Sequence, residues 1–277
     1  MESIFCAYDF SDAAKNALKH SCRLAELFRA KLTLVHIYYV PVPVTEYGYV
    51  PVGDDYIKDI ALKDMEKLKT QLIKEHPYIS TIDIIVESGF VTSKINDLAS
   101  EKGCELLVMG IDNDENFVKQ HLVGSSSIDE ARKSKVPVLI VPKNAENLKI
   151  KSIAYTCDYQ HSLIDSTSLI QVKYFAHMFN AELKVVHVLE PDHQINFSEA
   201  VSDKYIESKL SNIDHKTYFV YKKNAAEGIA EFVKEHQTDM IIIEPYQRSF
   251  FNTLFHKSVT KELAFCINKP VLAIHGS

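Results

Sequence analysis

A chain of 277 residues with 46% hydrophobic and 25% charged side chains has room for two cores of ordinary size, and its composition is not that of a disordered tail or low-complexity tract. A formal charge of −6 without any Lys/Arg-rich run excludes nucleic acid or an anionic membrane as the main partner, because both demand a concentrated positive surface. Five scattered cysteines, Cys6, Cys22, Cys104, Cys157 and Cys266, lack the paired spacing of a zinc site or a disulfide framework. They are expected as buried thiols in a reducing compartment, and with no signal-like N-terminus and no apolar run of membrane-spanning length the chain reads as cytoplasmic.

The first strand is read in SIFCAYDF, Ser3 to Phe10, a short apolar run that ends in Asp-aromatic. A helix follows, with Ser11 or Asp12 as N-cap and an apolar stripe of Ala14, Ala17, Leu18, Leu24, Ala25 and Phe28. The second strand is AKLTLVHIY, Ala30 to Tyr38. Beyond it lies the Pro- and Tyr-rich connection Pro41 to Tyr56, read either as a lid or as an extended surface loop. A second helix runs from Tyr56 to His76 on Ile57, Ala61, Met65, Leu68 and Leu72, and a strand is read at Thr81 to Gly89. A third helix carries Ile95, Leu98 and Ala99, and the strand Cys104 to Gly110 follows. A helix from Ile128 to Ser134 and a strand in KVPVLIVP, Lys135 to Pro142, close this unit.

The second part of the chain repeats the first. SIAYTCDY, Ser152 to Tyr159, aligns without gaps on SIFCAYDF; AELKVVHVL, Ala181 to Leu189, aligns on the second strand, placing His187 on His36; KPVLAIHG, Lys269 to Gly276, aligns on the last. With a strand at Asp239 to Glu244 the order is the same. Alternation of strand and helix builds a parallel sheet covered on both faces. The fold class expected is therefore α/β, with two tandem doubly wound units, 1–144 and 149–277, each a five-stranded parallel sheet flanked by helices. The polar stretch Lys143 to Leu148 is read as the boundary.

In an open parallel sheet, ligands bind beyond the carboxyl ends of the strands where strand order reverses. Asp9 stands at the end of the first strand and Gly110 at the end of the fourth, opening the loop Gly110 to Ser127. Gly124-Ser125-Ser126 then precedes a helix, an arrangement that fits both a phosphate cup and a plain N-cap. Asp112, Asp114 and Glu115 in the same loop oppose a polyphosphate unless they face solvent or hold a metal ion.

At these residues the chain resembles the universal stress protein family, over both units. YDFS (Tyr8 to Ser11) is similar to the family's strand-ending Asp-Phe-Ser, LVHI (Leu34 to Ile37) to its second strand and LLVMG (Leu106 to Gly110) to its fourth. The resemblance implies an adenine nucleotide alpha hydrolase-like fold and a site for ATP or AMP, with or without magnesium, in the first unit. It places Ala7, Asp9 and Ile37 at the adenine and ribose, and Met109, Gly110, Gly124, Ser125 and Ser126 at the ribose and phosphates. The family pattern Gly-x2-Gly-x9-Gly-Ser/Thr is met with Asn113 at the second glycine and with Gly110 and Gly124 one position further apart. Asn tolerates positive φ better than other non-glycine residues.

In the second unit the three glycine positions fall on Glu244, Gln247 and Lys257, so no nucleotide is expected there. The resemblance further implies that the units pair through their last strands, Val136 to Val141 and Pro270 to Ile274, with a homodimer or another protein as further partners. No His-x3-His or Cys-x2-Cys spacing, nucleophile elbow, Walker loop or Rossmann fingerprint occurs. The function the resemblance implies is non-enzymatic adenine-nucleotide binding or sensing in a stress response, and the alternative is a nucleotide-independent interaction module or scaffold, or a binder of a different small ligand. His36 and His187 are expected as core or supporting residues. His161, His177, His193, His215 and His236 are expected exposed, and the aromatic run Arg248 to Phe255 is read as a contact surface or the apolar face of a short helix.

Overall fold

A computed structural model of the chain describes residues 1–40, 44–45, 48–49, 54–112, 126–146, 149–156, 166–244 and 267–275. Strand β1 (Ser3–Ala7) leads to helix α1 (Asp12–Phe28) and strand β2 (Lys31–Tyr38). A two-stranded ribbon, β3 (Val44–Thr45) with β4 (Gly48–Tyr49), precedes α2 (Asp54–Glu75) and β5 (Thr81–Ser88). Then come α3 (Val91–Glu101), β6 (Leu106–Ile111), α4 (Ser126–Lys133) and β7 (Val138–Pro142). The second half is β8 (Ser152–Thr156), α5 (Ser166–Phe179), β9 (Glu182–Leu189), α6 (Phe197–Leu210), β10 (His215–Tyr221), α7 (Ala225–Glu235), β11 (Met240–Ile243) and β12 (Val271–Ala273).

The main strands form one ten-stranded sheet in the order β10-β9-β8-β11-β12-β7-β6-β1-β2-β5. Each half is parallel within itself and follows the same order of succession. The halves meet where β12 runs antiparallel to β7, with Val271 opposite Ile140, Leu272 opposite Leu139 and Ala273 opposite Val138. All five residues of β7 are buried, as a strand covered on both faces requires. On one face a single apolar cluster runs from Ile4 and Cys6 through Leu139 and Leu272 to Tyr155 and Phe175; another, through Phe5, Leu107, Ile140, Ile241 and Phe232, fills the opposite face. Both cores cross the seam, and the rings of Phe28 and Phe179, 5.7 Å apart, join the ends of α1 and α5.

Local signals explain the helix ends. The Ser11 hydroxyl accepts from the Ala14 N–H at 3.1 Å, settling the N-cap of α1 on Ser11. Arg29 ends α1 at φ 52°, and the Ala30 N–H returns to the Ala25 carbonyl at 2.9 Å. Asn180 (φ 49°) and Ala181, bonded to the Ala176 carbonyl at 3.0 Å, repeat the device after α5.

Within the stretch read as the boundary, Ala145 is buried, and the Asn16 amide donates to the carbonyls of Pro142 and Ala145 at 2.9 and 3.1 Å. Several expectations need correction. His193, His215 and His236 are half-buried rather than exposed. His215 meets the Ile213 carbonyl at 2.8 Å and the Glu207 carboxylate at 2.9 Å, and His236 stacks on Phe232 with ring centroids 4.1 Å apart. The first strand ends at Ala7, three residues before Phe10. The helix read from Ile128 begins at Ser126. His161, Cys157, Cys266, the run Arg248 to Phe255 and most of the connection Pro41 to Tyr56 lie outside the described residues.

Candidate functional site

Chain succession reverses at β1: β2 and β5 lie on one side of it, β6 and β7 on the other. A cavity of about 270 Å³ opens beside the carboxyl ends of β1, β2 and β6, where an open parallel sheet places its ligands. Six of the residues singled out from the sequence line it: Ala7, Asp9, Ile37, Met109, Gly110 and Ser126. Asn113, Gly124 and Ser125 lie outside the described residues.

The floor is apolar, formed by the buried Val35, Ile95, Met109 and Ile111 with Val91 at the start of α3. Of these only Met109 was singled out beforehand, because a buried strand residue gives no sign in the sequence of which end of the sheet it serves. The polar groups come from the loops and helix starts: Asp9, Ser11, Asp112, Ser126 and Ser127. The N-termini of α1 and α4 both reach the lining, and their first N–H groups favour an electron-rich ligand.

Asp9 is held by its own loop. Its Oδ1 accepts the Ser11 N–H at 3.0 Å, and the intervening Phe10 takes φ 66°. That conformation is uncommon for a bulky residue. Phe10 packs edge-on against Tyr8 and His36, with centroids 5.1 and 5.2 Å away. His36 Nδ1 lies 2.7 Å from the Tyr8 carbonyl, and since a carbonyl only accepts, Nδ1 carries the proton. His36 therefore anchors the loop that presents Asp9, which is a supporting part. Burial pushes the thiols of Cys6 and Cys104 up to about 12 and raises that of Cys22 as well, so none of the three is a nucleophile.

Gly110 does more than open a path to a ligand. A Cβ there would lie 2.4 Å from the carbonyl of Ala13 and 2.8 Å from the Ala14 nitrogen. The missing side chain lets the first turn of α1 rest against the end of β6. Asp112, just past the end of that strand, has its Oδ2 3.3 Å from Lys143 Nζ. Among the described residues, no group of three or more His, Cys, Asp or Glu is placed to hold a metal ion.

In the second half the corresponding place is built differently. Ile4 pairs with Leu106 and Ile153 with Met240, so Glu244 stands at the position of Gly110 and Tyr155 at that of Cys6. Glu244 is 8% exposed, and its carboxylate accepts a hydrogen bond from the fully buried Tyr155 hydroxyl. A carboxylate and a phenol occupy the space that the first half leaves to a glycine and a thiol.

Fold and cavity together define a doubly wound α/β protein with an opening at the carboxyl ends of its strands. A model of the universal stress protein family matches residues 1–142, and the chain belongs to that family. A universal stress protein from Archaeoglobus fulgidus DSM 4304 covers 99% of this chain and 98% of its own at 13% identity, with a TM-score of 0.74. A functionally unknown protein from Pseudomonas aeruginosa PAO1 covers 100% and 93% at 15% identity, with a TM-score of 0.63. A universal stress protein solved in complex with cAMP covers 50% and 96% at 23% identity, with a TM-score of 0.37. No curated protein matches the chain significantly. Among the described residues no helix is long and apolar enough to cross a membrane.

Proposed function

We propose that the first unit, residues 1–144, binds an adenine nucleotide, ATP or AMP, and that the chain acts in a stress response as a non-enzymatic, cytoplasmic nucleotide sensor. The observation that carries this reading is the convergence of Ala7, Asp9, Ile37, Met109, Gly110 and Ser126 on one cavity at the reversal of strand order. These residues are far apart in sequence. The chemistry suits the ligand: an apolar slot under Ile37 and Met109 for a flat base, Asp9 for a hydroxyl or amino group, and helix N-termini with serines for phosphate. The roles of Asn113, Gly124 and Ser125 belong to the same proposal.

The second unit, 149–277, binds no nucleotide in this reading, because Glu244 stands at the position of Gly110 and its carboxylate opposes phosphate. It serves as the structural partner of the first through the β7–β12 seam. Further partners are a second copy or another protein. Calorimetric titration of the purified chain with adenosine, AMP and ATP, with and without magnesium, tests the proposal. Saturable binding of at least one adenine compound is expected, lost in Gly124→Glu. Absence of binding by all of them up to millimolar concentration overturns it in favour of a nucleotide-independent interaction module.

A further inference from the structure

Among the described residues the sheet ends at β10, which has β9 on one side and no strand on the other. In a parallel pair the N–H and C=O of one residue point to the same side and those of the next residue to the opposite side. The Leu183 N–H donates to the Asp214 carbonyl at 3.0 Å and the Lys222 N–H to the Leu189 carbonyl at 2.8 Å, so the even-numbered residues of β10 carry the ladder to β9. Thr217 and Tyr221 therefore turn both backbone groups outward, where they have no partner among the described residues.

A cavity of about 310 Å³ lies along this edge, between β10 and α7, and every residue that lines it is among those described. One wall is aromatic: the Tyr218 ring stands edge-on to Phe232 and His236, with centroids 5.0 and 4.9 Å away. The Lys and Glu residues of the lining are Lys222, Glu231 and Glu235. Lys222 is taken by Glu231 at 2.7 Å, and Lys216, earlier on the strand, by Glu182 at 3.2 Å. Glu235 follows Glu231 by one turn on the same side of α7 and has no ion pair among the described residues. The opposite edge of the sheet differs, since Asp83 and Glu87 of β5 are ion-paired with Lys31 and Lys94 and α2 packs across the strand.

We propose that an extended segment of a partner protein adds to the sheet at β10, with a Lys or Arg side chain of that segment lying along Tyr218 and reaching Glu235. The added strand exchanges hydrogen bonds with Thr217 and Tyr221, which gives affinity without regard to sequence, and the cavity selects the side chain. A basic side chain fits both parts of the lining: its alkyl stem covers aromatic surface, and its charged end meets a carboxylate that no ion pair neutralises. An acidic side chain would face Glu231 and Glu235. The added strand also covers Tyr221, 48% exposed on the other face of β10. The inference goes beyond the nucleotide reading and does not depend on it, because the groove lies in the second half, away from the cavity beside β1.

The test uses the full chain and three blocked, identically labelled peptides that alternate Val with Lys, with Gln or with Glu, so that each kind of side chain falls on one face of the strand. Binding is read by fluorescence anisotropy. The Val-Lys peptide is expected to bind about tenfold more tightly than the Val-Gln peptide, and the Val-Glu peptide more weakly than either. N-methylation of alternate residues in the Val-Lys peptide removes its pairing edge and is expected to abolish binding. Glu235→Lys is expected to reverse the order of the Lys and Glu peptides. Tyr221→Pro removes an outward N–H while leaving the ladder to β9, and is expected to lower the affinity for all three about tenfold. Circular dichroism checks the fold of that variant, and if it unfolds the Glu235→Lys result decides alone. Equal affinity for the Lys and Glu peptides, binding that survives N-methylation, an order unchanged in Glu235→Lys, or no binding of any peptide overturns the proposal. Sedimentation of the wild-type chain without peptide tests the other occupant: a dimer that Tyr221→Pro dissociates makes a second copy the added strand and overturns the partner segment.

Discussion

A methyl group on Gly110 would sit 2.4 Å from both the carbonyl carbon and the carbonyl oxygen of Ala13. Backbone, unlike the tip of a long side chain, does not yield to such a contact. Gly110→Ala must push the first turn of α1 away from β6, and overpacking of this kind costs about 1–3 kcal/mol. Urea unfolding of the ligand-free variant is expected to show a lowered midpoint with an unchanged slope. An unshifted midpoint would mean that α1 does not lie against β6 as described. Because the measurement contains no nucleotide, it separates this packing role from any part Gly110 plays in binding.

The same glycine shows what could be read from the chain and what could not. Its place at the end of the apolar run that forms β6 marked it as a site residue, and it does line the cavity. The direction of its absent Cβ, toward α1, depends on a contact between residues about a hundred positions apart, which no local pattern encodes. Strands were legible because burial on both faces writes them as continuous apolar runs. Their ends were less so: Tyr8 and Phe10 look like strand residues, yet Phe10 takes φ 66° and turns the chain. Lys143 fell in the stretch read as the boundary because its neighbours in sequence are polar, and no local pattern announced its ion pair with Asp112. His215 was expected exposed for the same reason, while Glu207 and the Ile213 carbonyl enclose it.

Glu130 on α4 gives a pH dependence. Its side chain is fully buried and neither carboxylate oxygen has a hydrogen-bond partner among the described residues, and burial raises its pKa to about 8 against the partial opposition of Lys133. Folded protein therefore holds this proton more tightly than unfolded chain, whose value is near 4.5. The contribution to stability is whole below pH 4.5 and is lost as pH rises from there through about 8. Glu130→Gln is expected to raise the melting temperature at pH 8 by several degrees, about 2–4 °C per kcal/mol, and to change it little at pH 4.5. Equal shifts at both pH values would show that Glu130 is not held neutral. His20 acts in the opposite window: buried and lowered to about 4, it withdraws stability as pH falls from 6.5, so acid unfolding persists in the Glu130 variant.

In the second half, Tyr155 and Glu244 stand where Cys6 and Gly110 stand in the first, and the phenol donates to a carboxylate that is 8% exposed. A hydrogen bond to a carboxylate contributes about 1.5–3 kcal/mol. Tyr155→Phe keeps the ring in the apolar core, so its effect isolates the hydroxyl. The variant is expected to lose about that much in urea unfolding at pH 7, and Glu244→Gln in the same background to recover part of the loss, because a neutral amide costs less to bury than a carboxylate. The coupling energy from the double-mutant cycle measures the pair. A cycle that closes with no coupling would mean that the two side chains are held independently and that the hydrogen bond between them contributes nothing to stability.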